Sequence, residues 1–157
     1  MTFVSSNKPL PEDLQKRIKP CPIDFGKIQY LIKRAEQDLK TAKLIRKSDS
    51  AATYQLLYEG MLHTALAYMV SDGAQPDIRG KHKTVIDYVA FKLGAHHESN
   101  MEFYDRMRRK RHQLMYEPGP CACTEKELDD AQKAVRGFIA LISDQIKENH
   151  PKNRFDF

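Results

Sequence analysis

Residues 54–69 read YQLLYEGMLHTALAYM, and Glu59 is the single Asp, Glu, Lys or Arg among them. Apolar residues would cover more than one side of a helix here, which is typical of the middle of a bundle or of a subunit interface. The stretch without such charges, Gly60 to Ser71, is too short to cross a bilayer, which needs about 20 residues. The sequence therefore predicts a buried central helix over about Ala51 to Ser71, with His63 as a hydrogen-bonded core residue.

Helical patterns also lie on both sides of this segment. Apolar residues recur at intervals of three and four after Asp24, which is predicted to cap the start of the helix that they form. On the other side, a shorter helical pattern passes through Val85 and Leu93, and Gly94 follows it as a stop signal.

The last third of the chain predicts two further helices. One runs from about Glu98 to Tyr116 and stops before a rigid turn at residues 118–120. Thr124 and Glu127 have the spacing of a capping box, which opens a helix that continues to about Glu148. No segment alternates apolar and polar residues with period two, so the fold class predicted is an all-α bundle of about five helices.

Length and composition indicate one domain with short extensions. The chain has 157 residues and a net charge of +5, which permits an anionic partner without requiring one. Residues 1–22 contain four of the eight prolines and are predicted to be an N-terminal arm. Residues 23–148 then form the helical domain, and residues 149–157 a C-terminal tail. The first residues lack the order of a secretory signal, so we expect a cytoplasmic protein.

The three cysteines, Cys21, Cys121 and Cys123, are an odd number and lack the spacing of a disulfide framework. Cys121 and Cys123 form a close pair, but no second pair matches them as a zinc site would require. We therefore expect neither a bound metal nor a cofactor.

Residues 103–117, FYDRMRRKRHQLMYE, contain Arg111, the cationic residue that says most about a functional site. At 100° per residue, one apolar stripe is predicted to hold Phe103, Tyr104, Met107, Leu114 and Met115. Arg111 falls within that stripe, and a guanidinium cannot lose its charge, so it needs a partner. The sequence leaves two alternatives open: a salt bridge, with Glu59 as one possible partner, or a phosphate in a cleft or at a two-fold interface.

Three stretches together resemble the HEPN superfamily: residues 54–67, residues 79–85 (RGKHKTV) and residues 108–117 (RRKRHQLMYE). The resemblance extends over about residues 25–148 in helix order. It is closest to a branch with an Arg-x4-Tyr type of motif in place of Arg-x4-6-His. HEPN proteins are helical bundles that usually dimerise, and many are metal-independent ribonucleases. Several are toxins whose partner is a small nucleotidyltransferase.

This resemblance implies a set of site residues. Arg111 matches the motif arginine, His112 follows it, and Tyr116 takes the place of the family's histidine. An alternative register pairs Arg106 with His112. A tyrosine is a poor general base at neutral pH, whereas a histidine both accepts and donates protons. The predicted RNA- or phosphate-binding residues are Arg108, Arg109, Lys110, Arg79, Lys81 and His82.

The resulting functional expectation is a HEPN-domain protein that binds a nucleotide or RNA, or a nucleotidyltransferase partner, as one component of a toxin–antitoxin pair. In some such pairs the partner adenylylates a tyrosine near the motif, which would be Tyr116. The alternatives are an active metal-independent endoribonuclease and a non-catalytic helical dimer. Arg111 and Tyr116 point about 140° apart on an ideal helix, so a homodimer is expected to bring two copies of the segment together.

Overall fold

The computed structural model describes residues 8–77, 81–117 and 123–157. Its helices and strands are α1 (Glu12–Gln15), β1 (Ile18–Pro20), α2 (Phe25–Ile45), α3 (Ser50–Ser71), β2 (Ala74–Pro76), α4 (Lys81–Leu93), a 3-10 turn (Ala95–His97), α5 (Glu98–Tyr116) and α6 (Glu125–Asn149). The prediction of an all-α bundle is confirmed, and the four-residue α1 is added to the five long helices. The expected turn at residues 118–120, Arg79 and Cys121 lie outside the described residues.

Helix α3 occupies the centre of the bundle, as its apolar sequence predicts. It packs against α2, α4, α5 and α6, and Leu57, Tyr58 and Met61 are completely buried. A Cβ added at Gly60 would lie only 3.4 Å from the Ala35 carbonyl oxygen of α2. Gly60 therefore lies at the contact between α2 and α3.

The helix starts follow from local side-chain hydrogen bonds. The Asp24 carboxylate accepts from the backbone N–H of Lys27 at 3.0 Å. Thr124 and Glu127 form the predicted capping box at the start of α6. These side chains satisfy N–H groups that the first helical turn leaves without partners, so the predicted starts of α2 and α6 are confirmed.

A small sheet joins the N-terminal residues to the bundle, which the sequence does not predict. Strand β1 pairs antiparallel with β2, with Ile18 opposite Pro76 and Pro20 opposite Ala74. Just before it, Leu14 is buried against the core. Strands of three residues that include proline are too short to show a period-two pattern, and only the fold brings the two segments together.

No helix in the described parts of the chain has both the length and the apolar character needed to cross a membrane.

Helix α5 packs on α3 and α4, and an aromatic contact connects it to α6. Tyr104 and Phe138 are buried, and their ring centroids lie 4.5 Å apart. The Tyr104 hydroxyl also donates a hydrogen bond to the carbonyl oxygen of Ala134, at 3.1 Å. The apolar stripe ends early, however: Met107 is buried, but Met115 is 43% exposed. The prediction that Met115 lies in the core is wrong, because no described element covers that side of the last turn of α5.

We expect Phe138→Ala to lower the free energy of unfolding by about 3–5 kcal/mol, because it removes a buried ring and leaves a cavity between α5 and α6. Urea denaturation followed by circular dichroism measures this loss. Arg136→Ala, at an exposed position of the same helix, is the control and should change stability by less than about 0.5 kcal/mol. Equal effects of the two substitutions would contradict the packing described here.

Candidate functional site

A groove of about 360 Å³ lies between the start of α4 and the second half of α5. We call it the α4–α5 groove. Its lining residues are Lys81, His82, Lys83, Arg108, Arg111, His112 and Tyr116. Four of these residues are cationic, two are histidines, and none is a carboxylate. The groove therefore has the composition of an anion site.

Arg111 lies between a carboxylate and this groove. Its Nη2 is 3.4 Å from Glu59 Oε1, and its guanidinium carbon is 5.5 Å from the centroid of the Tyr58 ring. The side chain is 21% exposed, and its buried Nε has no hydrogen-bond partner among the described residues. The salt bridge and the cleft, which the sequence left as alternatives, are thus both present. Because 3.4 Å is long for a charge-assisted hydrogen bond, several guanidinium donors remain available.

His82 is held by the same buried tyrosine. The Tyr58 hydroxyl and His82 Nδ1 are 2.8 Å apart, and the two rings are stacked, with centroids separated by 5.7 Å. Tyr58 is completely buried on α3, so it is a rigid support for both Arg111 and His82. Sequence reasoning did not identify Tyr58 as a site residue, because a tyrosine on an apolar helix is normally a core residue.

The surroundings of His82 favour its neutral form. Partial burial is the main cause that lowers the pKa of His82 below its ordinary value, and the positive charge of Arg111 lowers it further. At neutral pH the imidazole is therefore uncharged and has one nitrogen that can accept a proton. When Nδ1 donates to the Tyr58 hydroxyl, Nε2 is the free acceptor, and His82 is then a better general base than Tyr116, which replaces the motif histidine.

Carboxylates next to the groove hold its other cations in place. Arg108 Nε is 2.9 Å from Asp105 Oδ1, and Lys83 Nζ is 3.0 Å from Asp87 Oδ1. Burial alone would raise the pKa of Asp105, but the hydrogen bond from Arg108 and the charge of Lys83 bring it below its ordinary value. Lys81 makes no ion pair with any described residue. These carboxylates compensate part of the like-charge repulsion and leave the groove itself cationic.

His112 and Tyr116 form the outer part of the groove. Their ring centroids are 4.8 Å apart, and Tyr116 is 64% exposed. Arg111 and Tyr116 both border this groove within one chain, although they point in different directions on α5. The groove is a wide space between two helices, so two side chains of α5 with different directions both reach it.

Three of the other predicted site residues lie elsewhere. Arg106 stacks on Phe103, with 5.4 Å between the guanidinium carbon and the ring centroid, so the alternative register with His112 is not assembled. Arg109 is 62% exposed, pairs with Asp105, and borders a different cavity. Lys110 forms an ion pair with Glu127 of α6. The structure thus gathers Arg108, Arg111, His112, Tyr116, Lys81 and His82, and separates them from Arg106, Arg109 and Lys110.

Within the part of the chain that the structure describes, no three His, Cys, Asp or Glu residues are grouped in a way that could hold a metal ion. Comparison of the chain with protein-family models, with curated proteins and with solved structures found no match.

We expect Arg111→Gln to raise the pKa of His82, because it removes a positive charge that disfavours the imidazolium. Titration of the histidine signals by NMR measures the midpoint. Lys110→Gln is a matched control on the same helix, since Lys110 is paired with Glu127 and does not border the groove. An unchanged or lower midpoint in Arg111→Gln would show that the two side chains are not electrostatically coupled.

Proposed function

We propose that this chain is a HEPN-like protein that binds a phosphate group of a nucleotide or of single-stranded RNA in the α4–α5 groove. The observation that carries the proposal is the convergence of four cationic side chains on a groove without a carboxylate, around the partly buried Arg111. A solvated basic helix face would not combine cations from two helices in this way. The sequence resemblance supplies the expectation of RNA as the ligand.

Arg111 is the central contact in this proposal. A guanidinium binds phosphate oxygens through two parallel hydrogen bonds, and the long contact with Glu59 is a weak competitor for those donors. Arg108 keeps its hydrogen bond to Asp105 through Nε, which leaves its terminal nitrogens for a second phosphate oxygen. Lys81 adds a positive charge that no described carboxylate neutralises. Binding therefore does not require any of the three cations to lose a strong partner.

RNA cleavage is a second candidate function, favoured by the position of His82. Neutral His82 would take the proton of a ribose 2′-hydroxyl, whose oxygen would then attack the adjacent phosphorus. Arg111 would stabilise the charge that builds up on the phosphate oxygens. The bond from phosphorus to the 5′-oxygen would break, and His112 in protonated form would supply the proton to that leaving oxygen. The products would be a 2′,3′-cyclic phosphate and a 5′-hydroxyl.

The proposal extends to partners. Tyr116 presents a largely exposed ring at the edge of the groove, so an adenylylating nucleotidyltransferase could reach its hydroxyl without opening the fold. Met115 is also exposed there, and an apolar pair at this position suits contact with a second copy of α5 in a homodimer. A protein in which Arg111 serves only to hold such a dimer together is the remaining alternative.

We expect Arg111→Gln to weaken binding of a fluorescein-labelled single-stranded RNA about tenfold or more, since a hydrogen bond to a charged group contributes about 1.5–3 kcal/mol. Fluorescence anisotropy at several salt concentrations measures the affinity. Arg108→Gln should also reduce the slope of log affinity against log salt by about 0.7, as loss of one phosphate contact requires.

The controls for this measurement are Arg109→Gln and Lys110→Gln, which remove the same charge from α5 outside the groove. If these two variants lose as much affinity as Arg111→Gln, binding depends on net charge and the assignment of the groove is wrong. Thermal unfolding of every variant separates loss of binding from loss of structure.

Cleavage is tested by incubating the wild-type protein with the same RNA in the presence of a metal chelator. For an active ribonuclease we expect products ending in a cyclic phosphate, and a loss of at least a hundredfold in rate in His82→Gln, as for removal of a general base. If the RNA binds but is not cleaved, the binding function stands and the catalytic function is ruled out.

A further inference from the structure

A second groove, of about 500 Å³, adjoins the α4–α5 groove at Lys81, which borders both. We call it the His63 groove. Polar side chains along it are Lys27, His63, Gln75 and Asp77, and apolar residues of α2 and α3 form much of the remainder. The two grooves therefore meet at a lysine that has no ion-pair partner among the described residues.

The orientation of His63 is imposed by a buried carboxylate. Asp38 on α2 is 1% exposed, and its Oδ1 pairs with Arg34 Nη2 at 2.8 Å. Its Oδ2 lies 2.8 Å from His63 Nδ1. The sequence prediction that His63 is hydrogen-bonded is thus confirmed, but its side chain is 26% exposed and borders a groove, rather than being enclosed in the core.

This arrangement determines which hydrogen bond the other nitrogen can make. A carboxylate only accepts hydrogen bonds, so His63 Nδ1 must carry the proton that bridges to Asp38. In the neutral imidazole, Nε2 is then an acceptor, and no described residue donates to it. An acceptor repels phosphate oxygens and matches a hydroxyl or an N–H donor of a ligand.

His63 lies one helical turn from the residue that contacts Arg111. Glu59 and His63 are four residues apart on α3, and therefore on the same face at a spacing of about 6 Å along the axis. Lys81 lines both grooves and is the one described residue that they share. Asp77 also borders the His63 groove, and its negative charge disfavours a second phosphate there.

We infer that His63 Nε2 accepts a hydrogen bond from a ribose 2′-hydroxyl of a strand whose phosphate occupies the α4–α5 groove. The inference rests on the proposed phosphate-binding function and narrows its ligand to RNA. The 2′-hydroxyl is the donor that distinguishes RNA from DNA, and the hydrogen bond between Nδ1 and Asp38 leaves Nε2 of the neutral His63 imidazole as the acceptor. Lys81 carries the electrostatic attraction, which RNA and DNA share.

The experiment compares two single-stranded oligonucleotides of the same sequence, one of ribose and one of deoxyribose with uracil retained, by fluorescence anisotropy. We expect the wild-type protein to bind the RNA about three- to tenfold more tightly, the contribution of one neutral hydrogen bond. His63→Phe should abolish this preference by weakening RNA binding alone. His96→Phe, at an exposed histidine outside both grooves, should retain it.

Asp38→Asn tests the orientation separately. Its amide can donate to His63 Nδ1, which moves the imidazole proton to Nε2 and turns the acceptor into a donor. We expect the ratio of RNA affinity to DNA affinity to fall toward one, while the affinity for DNA is unchanged.

Because Asp38 is buried and this variant can lose stability, a second measurement uses the wild-type protein. Single 2′-O-methyl substitutions along the RNA should reduce its affinity at one position only. Methylation at that position should not change the affinity of His63→Phe for RNA.

The outcomes distinguish the inference from the function on which it rests. Equal binding of RNA and DNA by the wild-type protein, or a preference that survives in His63→Phe, overturns the inference and leaves phosphate binding in place. Absence of binding to both oligonucleotides overturns the proposed function and the inference together.

Discussion

The contact on which the site depends is the burial of Tyr58 in the central helix. Its ring lies beneath the guanidinium of Arg111, and its hydroxyl meets the imidazole of His82. These two side chains come from different helices, and α3 is the element to which both are anchored. Tyr58 is completely buried among the helices that pack around α3. It therefore cannot change rotamer without disturbing the core. The geometry of the groove is therefore a consequence of core packing.

Electrostatics adds a second constraint. Cations gathered in one groove repel one another, and desolvation increases the cost. The chain places carboxylates beside these cations and none in the groove: Glu59 next to Arg111, and Asp105 next to Arg108. The carboxylates compensate the charge and restrict the side chains to positions from which they reach the groove. An anion bound there, as we propose, would meet donors that are already oriented, which would reduce the entropy lost on binding.

The histidines that border the two grooves occupy contrasting environments. His82 is held by a neutral hydroxyl close to positive charges, and its pKa is lowered. His63 is held by the buried carboxylate of Asp38, which is shared with Arg34. In each imidazole, Nδ1 forms a hydrogen bond within the protein. Each side chain also borders a groove. In this way α2, α3 and α4 contribute functional groups that the helix α5, with its conspicuous basic sequence, does not contain.

Most of the fold could be predicted from the sequence, because helix formation depends on local patterns. The apolar period of α2, the all-round apolar character of α3 and the capping box of α6 are properties of adjacent residues, and each predicted helix is present. The pairing of β1 with β2 could not be predicted, because two three-residue segments separated by more than fifty positions have no periodic signal.

The sequence by itself determined the helices and the candidate arginine. A permanently charged side chain on an apolar stripe requires a partner wherever the helix packs, so Arg111 could be identified, with Glu59 as one possible partner. Only the tertiary structure decided which cations share its groove: Arg108, Lys81 and His82 converge there, while Arg109 and Lys110 do not. Neighbours along a helix point in directions 100° apart, so the packing of α5 against α4 and α6 selects among them.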